Sequence, residues 1–327
     1  MKKFMKGCGI TALVLLILGL IMAVVAGTLQ GRTAIEDVVE SVTGGRVKVN
    51  LGSLDEWGVT IGDNAYNASW EEWGDNMKYD IGKDIGFDKS FEIFKGDMAK
   101  TLLGNDVKSL DIEAGGCLFT IEESEDDNFY MAGENIGKAQ GFVKNQTLYV
   151  KAYKTGKVSL NDIKACRIIL YVPAGSSFDK AEIEIGAGQL QFADIQAKEL
   201  IVEVGAGEIL FSDIVADRIA GSVGMGRISL DGIQAGSMDA EVGMGSLEVR
   251  GNLTGNAELE CSMGNIEMTL SGKEEDFNYY LEGAMGNVSI GGDNYSGLAQ
   301  ERTILNNAEK DIRLECAMGN ISIGFTR

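Results

Sequence analysis

From residue 179 onward the chain alternates apolar and polar side chains in short bursts that return at a fixed interval. Five consecutive segments of 19 residues align without a gap, starting at Asp179, Lys198, Asp217, Gly236 and Gly255. The first reads DKAEIEIGAGQLQFADIQA and the second KELIVEVGAGEILFSDIVA. Each opens on an alternating run: Ala181, Ile183 and Ile185, then Leu200, Val202 and Val204, then Ile219 and Val223. A Gly-x-Gly follows (Gly186 and Gly188, Gly205 and Gly207, Gly224 and Gly226, Gly243 and Gly245), and then a second short run such as Leu190 and Phe192 or Ile209 and Phe211. Alternation of period two sends one set of side chains inward and the other to solvent. The glycines are expected to supply a φ > 0 corner between the two runs. A unit of this size cannot bury its apolar face alone, but stacking at about 4.8 Å lets equivalent residues form continuous ladders. The pattern predicts an all-β body, a single-stranded β-solenoid or β-helix with rungs of about 19 residues.

The flanks are less regular. SMGNIEM, AMGNVSI and AMGNISI, starting at Ser262, Ala284 and Ala317, keep the corner and second strand while their spacing grows to 22 and then 33 residues, which reads as inserted loops. Upstream, residues 110–121, 147–153 and 166–172 read as early strands, and Pro173 sits in a turn leading into the regular repeats. Residues 31–106 show little periodicity: a short helix is expected over 33–42, followed by an acidic stretch holding Trp57, Trp70 and Trp73, which reads as a spacer and N-terminal cap. Before it, Lys2, Lys3 and Lys6 precede an uncharged apolar run over 7–29. That is long enough to span a bilayer as a transmembrane helix, and the leading lysines place the N-terminus in the cytoplasm and the rest outside. A cleaved signal would carry a shorter apolar region, so an uncleaved anchor is expected. The organisation expected is therefore a cytoplasmic stub and anchor over 1–30, the spacer and cap over 31–106, and the repeat body over 107–327, with the regular repeats at 179–273.

Composition narrows the function. Hydrophobic residues make up 45%, enough for a real core, and with Gly 44 against Pro 1 the chain must turn on glycine. A net charge of -20 leaves no basic patch to track phosphates, so no nucleic-acid partner is expected. Histidine is absent, which excludes Ser-His-Asp triads, Cys-His dyads and His-based zinc sites. The five cysteines (Cys8, Cys117, Cys166, Cys261, Cys316) show no CxxC spacing and leave one over from any pairing, so neither a zinc site nor a disulfide framework is indicated.

Several repeated residues invite chemical readings. The Gly-x-Gly units lack the third glycine and following helix of a dinucleotide site. One outward slot is acidic in nearly every repeat, at Glu184, Glu203, Glu241, Glu260, Glu282 and Glu315, with Ser222 the exception. Stacked carboxylates repel, and Ca²⁺ could relieve that, yet a solvated edge-protecting face is the simpler reading. Met225, Met244, Met263, Met285 and Met318 align as a ladder; thioethers can bind Cu(I), but adaptable packing at the corner is expected. Cys261 and Cys316 occupy the inward slot of Ile185, Val204, Val223 and Val242. With the rung of Gly283 between them they would stand roughly 10 Å apart, and both are expected to be free. Asp194 and Asp213, replaced by Gly232 and Gly251 in the next repeats, read as turn residues rather than a carboxylate pair of a glycosidase. No catalytic, cofactor-binding or metal-ligating residue is assigned, and no cofactor is expected.

The run RIILYVPAGSSFDKAEIEIGAGQLQF, the repeated Gly-x-Gly/strand units and the closing AMGNISIGF resemble the bacterial "putative adhesin" β-strand-repeat family, a domain of unknown function, over residues 110–327. The resemblance implies an envelope protein, often with a single N-terminal span; some members accompany envelope-stress regulation. It carries over no functional residue. The expectation is a non-catalytic cell-envelope surface protein presenting its solenoid for adhesion or scaffold contacts with a protein or envelope polymer. An accessory or sensory protein of an envelope-stress response is the alternative, and a carbohydrate-active β-helix enzyme the third reading. The last strand, near residues 320–325, has no evident cap, so self-association through that end is also expected.

Overall fold

A computed structural model of the chain describes residues 87–154, 166–283, 286–296 and 300–326, and the backbone of three strands over 47–50, 56–61 and 64–69. The chain divides into two compact units, Met1–Tyr79 and Asp80–Arg327. In the first, β1 (Val47–Asn50), β2 (Glu56–Ile61) and β3 (Asn64–Ser69) form an antiparallel meander. The apolar run over 7–29, the expected helix over 33–42, Trp70, Trp73 and the Trp57 side chain lie outside the described residues. No helix among the described residues is long and apolar enough to cross a membrane.

Among the described residues the second unit is all-β apart from a single 3-10 turn at Glu274–Asp276. It begins with β4 (Phe94–Gly104), β5 (Ser109–Gly115), β6 (Cys117–Ser124), β7 (Phe129–Lys144), β8 (Thr147–Tyr153) and β9 (Arg167–Pro173). The regular repeats follow as β10 (Ser177–Ile185), β11 (Gly188–Val204), β12 (Glu208–Val223), β13 (Arg227–Val242), β14 (Ser246–Leu253), β15 (Ala257–Cys261) and β16 (Asn265–Ser271). The chain closes with β17 (Phe277–Gly283), β18 (Asn287–Ile290), β19 (Asp293–Ser296), β20 (Gln300–Ile304), β21 (Lys310–Cys316) and β22 (Asn320–Thr326).

The repeats pair in parallel at the offset read from the sequence. Leu200 stands opposite Ile219, Ile219 opposite Met238, and Met238 opposite Ala257. On the next side, Ile209 stands opposite Ile228, Ile228 opposite Leu247, and Leu247 opposite Ile266. These side chains and their period-two neighbours are buried along one continuous core. The result is a solenoid-like stack of parallel rungs. Burying a Leu, Ile or Val contributes about 1.5–3 kcal/mol each, and the ladder repeats that gain at every rung.

The corners correct the sequence reading. Of the eight Gly-x-Gly glycines between Gly186 and Gly245, only Gly188 has positive φ. Glycine is needed there because successive rungs touch. A Cβ on Gly207 would meet the Gly188 carbonyl oxygen at 2.6 Å, and one on Gly205 the Gly186 oxygen at 2.7 Å. The left-handed turn belongs instead to the next bend, where Asp194 (φ 61), Asp213 (φ 55) and Gly232 (φ 70) take equivalent places, while in the following rung the register slips by one residue and Gly251 (φ 144) stands opposite Ile233. Asp and Gly are residues that tolerate that region, which explains why they interchange.

Both ends of the stack depart from sequence order. At one end the β8–β9 rung lies outside the β5–β6 rung, since β5 pairs with both β8 and β10, and β6 with both β9 and β11. Beyond it β7 runs antiparallel to β8 and β9, and β4 antiparallel to β7. At the other end β21 is inserted between β15 and β17, and β22 between β16 and β18. The outer rung there is closed by antiparallel β20 on β17 and β19 on β18. The last strand is therefore internal, and the premise of an uncapped final strand is corrected. The edge strand β20 carries Glu301 and Arg302, charges that discourage edge pairing.

Each end is fastened by one buried amide. Gln140 on β7 donates from Nε2 to the carbonyls of Asp88 (2.7 Å) and Phe91 (3.0 Å) and accepts from the Asp88 N–H (2.9 Å). Asn278 on β17 donates to the Ala308 carbonyl (2.9 Å) and the Asp311 carboxylate (3.0 Å) and accepts from the N–H of Asn306 (3.0 Å) and of Ala308 (3.2 Å). Both side chains are thereby satisfied inside the core.

Candidate functional site

Register turns the acidic slot into a column. Glu113 stands opposite Glu184, Glu184 opposite Glu203, Glu203 opposite Ser222, Ser222 opposite Glu241, and Glu241 opposite Glu260. Glu260 then faces Glu315, Glu315 faces Glu282, and Glu282 faces Glu301. The alternation of the strands points all of these outward, half-exposed or exposed. Sequence reasoning brought together the six glutamates from Glu184 to Glu315 but missed Glu113 and Glu301, which lie in strands outside the regular period.

Neighbouring slots are compensated and this one is not. Arg218 pairs with Glu199 (2.7 Å) and Asp239, Lys198 with Asp179 (2.6 Å), and Lys180 with Glu182. Among the described residues the column has one ion pair, Lys151 with Glu113 (2.7 Å), at its end. Electrostatics follow from that arrangement. Partial burial, then the charges of Glu113 and Glu203, raise the Glu184 carboxyl above its ordinary range. Partial burial, then Glu315 and Glu241, do the same to Glu260. Where the column reaches β20, a depression of about 290 Å³ is lined by Glu260, Glu282, Glu301, Glu315, Arg302 and Arg313 among others. The Arg313 guanidinium lies 4.7 Å above the Tyr280 ring.

No group of three or more Cys, Asp or Glu side chains among the described residues is placed to hold a metal ion. The column is thus a line of solvated, mutually repelling carboxylates.

The methionine ladder is corrected. Its members stack, each amide N–H bonding back to the preceding corner (Met225 to Gly205, Met244 to Gly224, Met263 to Gly243, Met318 to Ser262). Yet Met225, Met244 and Met318 are 46%, 47% and 39% exposed, so they do not fill the interior. Met263 is half-buried, and Met285 lies outside the described residues. The middle residue of Gly-x-Gly projects outward at the tip of the corner.

The cysteines also depart from expectation. Cys117 and Cys166 form a disulfide with Cα atoms 4.8 Å apart, joining the adjacent β5–β6 and β8–β9 rungs. Cys261 and Cys316 are free and buried, as expected, but not for the reason expected: they are direct register partners, with no rung between them. A hydrogen bond between the two thiols, then burial, pushes Cys261 up, and the same bond holds Cys316 down.

An all-β stack of parallel repeats defines a β-strand-repeat class of protein. Within it, the chain belongs to the Toastrack DUF4097 family, a domain of unknown function, which matches residues 107–324. Similar solved structures include a "putative cell adhesion protein" from Clostridium sporogenes, 15% identical, covering 72% of this chain and 98% of that one, TM-score 0.33. A "putative adhesin" from Bacteroides fragilis is 15% identical, covering 73% of this chain and 100% of that one, TM-score 0.39. A "putative lipid binding protein" from Parabacteroides distasonis is 13% identical, covering 72% and 96%, TM-score 0.34. No curated protein matches the chain.

Proposed function

We propose that this chain is a non-catalytic cell-envelope surface protein whose β-solenoid presents one long acidic face for adhesion or scaffold contacts. The supporting observation is the glutamate column, which runs from Glu113 to Glu301 with one ion pair among the described residues, at its Glu113 end, while the slots beside it hold several. Natural sheets alternate charges across strands because like charges directly opposite destabilise. A column that keeps its repulsion is suited to a partner that supplies the missing positive charge, a basic protein segment or a cationic stretch of envelope polymer. Charge complementarity of this kind steers encounter and sets specificity.

In this reading the apolar run over 7–29 anchors the protein in the membrane with its N-terminus in the cytoplasm and the stack outside. The Cys117–Cys166 disulfide is consistent with an oxidising compartment. No residue is given a catalytic role.

The test is co-sedimentation of the purified protein with cell-wall material and intact cells, compared with a variant carrying Glu203→Gln, Glu241→Gln and Glu260→Gln. Retention that falls at least fivefold in the variant, and falls with added salt, supports the proposal. Equal retention of both proteins, or of neither, overturns it. A deletion that alters an envelope-stress regulon without any change in retention would favour the accessory or sensory reading.

A further inference from the structure

The two ends of the stack share one arrangement. At each end one rung is laid beside a neighbour distant in the chain, and at each end that junction holds a cysteine from both rungs. At the first end the two are Cys117 and Cys166, already bonded, with a sequence separation of 49. At the other end Cys261 closes β15 and Cys316 closes β21, opposite one another in a parallel pair. Both pairs flank the glycine corner: Cys117 stands opposite Gly188, and the Cys261 sulfur lies 2.5 Å from where a Cβ on Gly319 would stand.

We propose that Cys261 and Cys316 close into a second disulfide, so that the inserted β21–β22 rung is covalently stapled to the regular repeats. Neighbouring strands lie about 4.8 Å apart, and disulfides accept Cα separations of about 4.4–6.8 Å. Both side chains enter the same inward slot of directly paired strands. The step is thiol–disulfide exchange with a small-molecule disulfide. The Cys316 thiolate attacks one sulfur of the reagent and expels the other as a thiol. Cys261 then displaces the remaining half, which leaves as a second thiol. Two S–H bonds are lost and one S–S bond forms; the two electrons and two protons go to the reagent. Although both sulfurs are buried once the stack is complete, Cys316 meets solvent until its rung is laid in, so closure accompanies folding.

The full chain is refolded from denaturant in a buffer of oxidised and reduced glutathione, alkylated, digested with trypsin without reduction, and mapped by mass. The expected result is a linked pair of peptides, 251–273 with 314–327, two hydrogens lighter than their sum. The 109–138 peptide linked to 165–167 serves as the internal control for the Cys117–Cys166 bond. Cys261→Val, which copies Val242 and Val223 at the same slot, should fold with an unchanged circular dichroism spectrum and lose only the new link. On reduction, the wild-type melting temperature should drop further than that of Cys261→Val. Complete alkylation of both Cys261 and Cys316 in a sample whose control link is intact overturns the proposal, as does an equal drop in both proteins.

Discussion

Gly207, just before β12, and Gly221, within it, answer to opposite constraints. Gly207 sits where the corner of one rung presses on the last, with the Gly188 carbonyl oxygen 2.6 Å from where a Cβ would stand. Gly221 occupies an inward slot between Val202 and Ala240, its φ is unstrained, and a Cβ there would meet nothing within 4 Å. Gly207→Ala should therefore cost about 2–3 kcal/mol by forcing the backbones apart. Gly221→Ala should gain about 0.5–1 kcal/mol by restricting the unfolded chain and filling space. Chemical denaturation midpoints of the two variants check this, and a shift of the same sign in both would contradict it. The sequence shows that glycine is required at the corners but not why, because left-handed torsion and close approach select the same residue. It is equally silent about the methionines. Alternation assigns faces only within a strand, and Met225 or Met244, alone between two glycines, has no neighbour in the pattern to fix its direction.

At the scale of strands, the regular repeats were legible because their pairing partner is also their nearest copy along the chain. That equivalence fails at the ends. Every rung presents nearly the same inward profile, so alternation cannot say whether β15 should pair with β17 or with β21. The spacings of 22 and 33 residues read as loops inserted into an ordered series; the structure spends those residues on β19 and β20 and then returns the chain to the gap. The choice is made by particular contacts, Asn278 foremost, which ties β17 to the return loop through Ala308 and to β21 through Asp311. Asn278→Ala would leave the Asn306 and Ala308 amides without their acceptor and should destabilise the stack by about 2–4 kcal/mol. Amide hydrogen exchange should quicken first in β17, β20 and β21 while β11 to β13 stay protected. Uniform acceleration across all rungs would show that Asn278 does not act locally. Gln140 holds the same office at the opposite end, and neither residue carries a sequence signal beyond being a polar side chain in an apolar strand.

For the molecule as a whole, the net charge of -20 is organised rather than dispersed. The carboxyls of Glu184, Glu260 and Asp111 are raised in the fold, each chiefly by burial. A carboxyl raised on folding binds its proton more tightly in the native state, so acidification from neutrality stabilises the protein until the unfolded carboxylates, near about 4, also titrate. The opposite class, Asp126 and Asp179, lowered first by hydrogen bonds from Tyr130 and Lys198, loses its contribution only at lower pH. The melting temperature should thus rise between pH 7 and about pH 5 and fall below that, and added NaCl should raise it more at pH 7 than at pH 5. A monotonic fall from pH 7 downward would mean that the glutamate column does not govern stability. The internal place of β22 has a further, mechanical consequence. Tension drawn through Thr326 along that strand does not peel an edge one bond at a time; it shears the ladders against β16 and β18 together. A body built this way resists being unravelled from that side, and it yields more readily at β4, which among the described residues pairs with β7 alone.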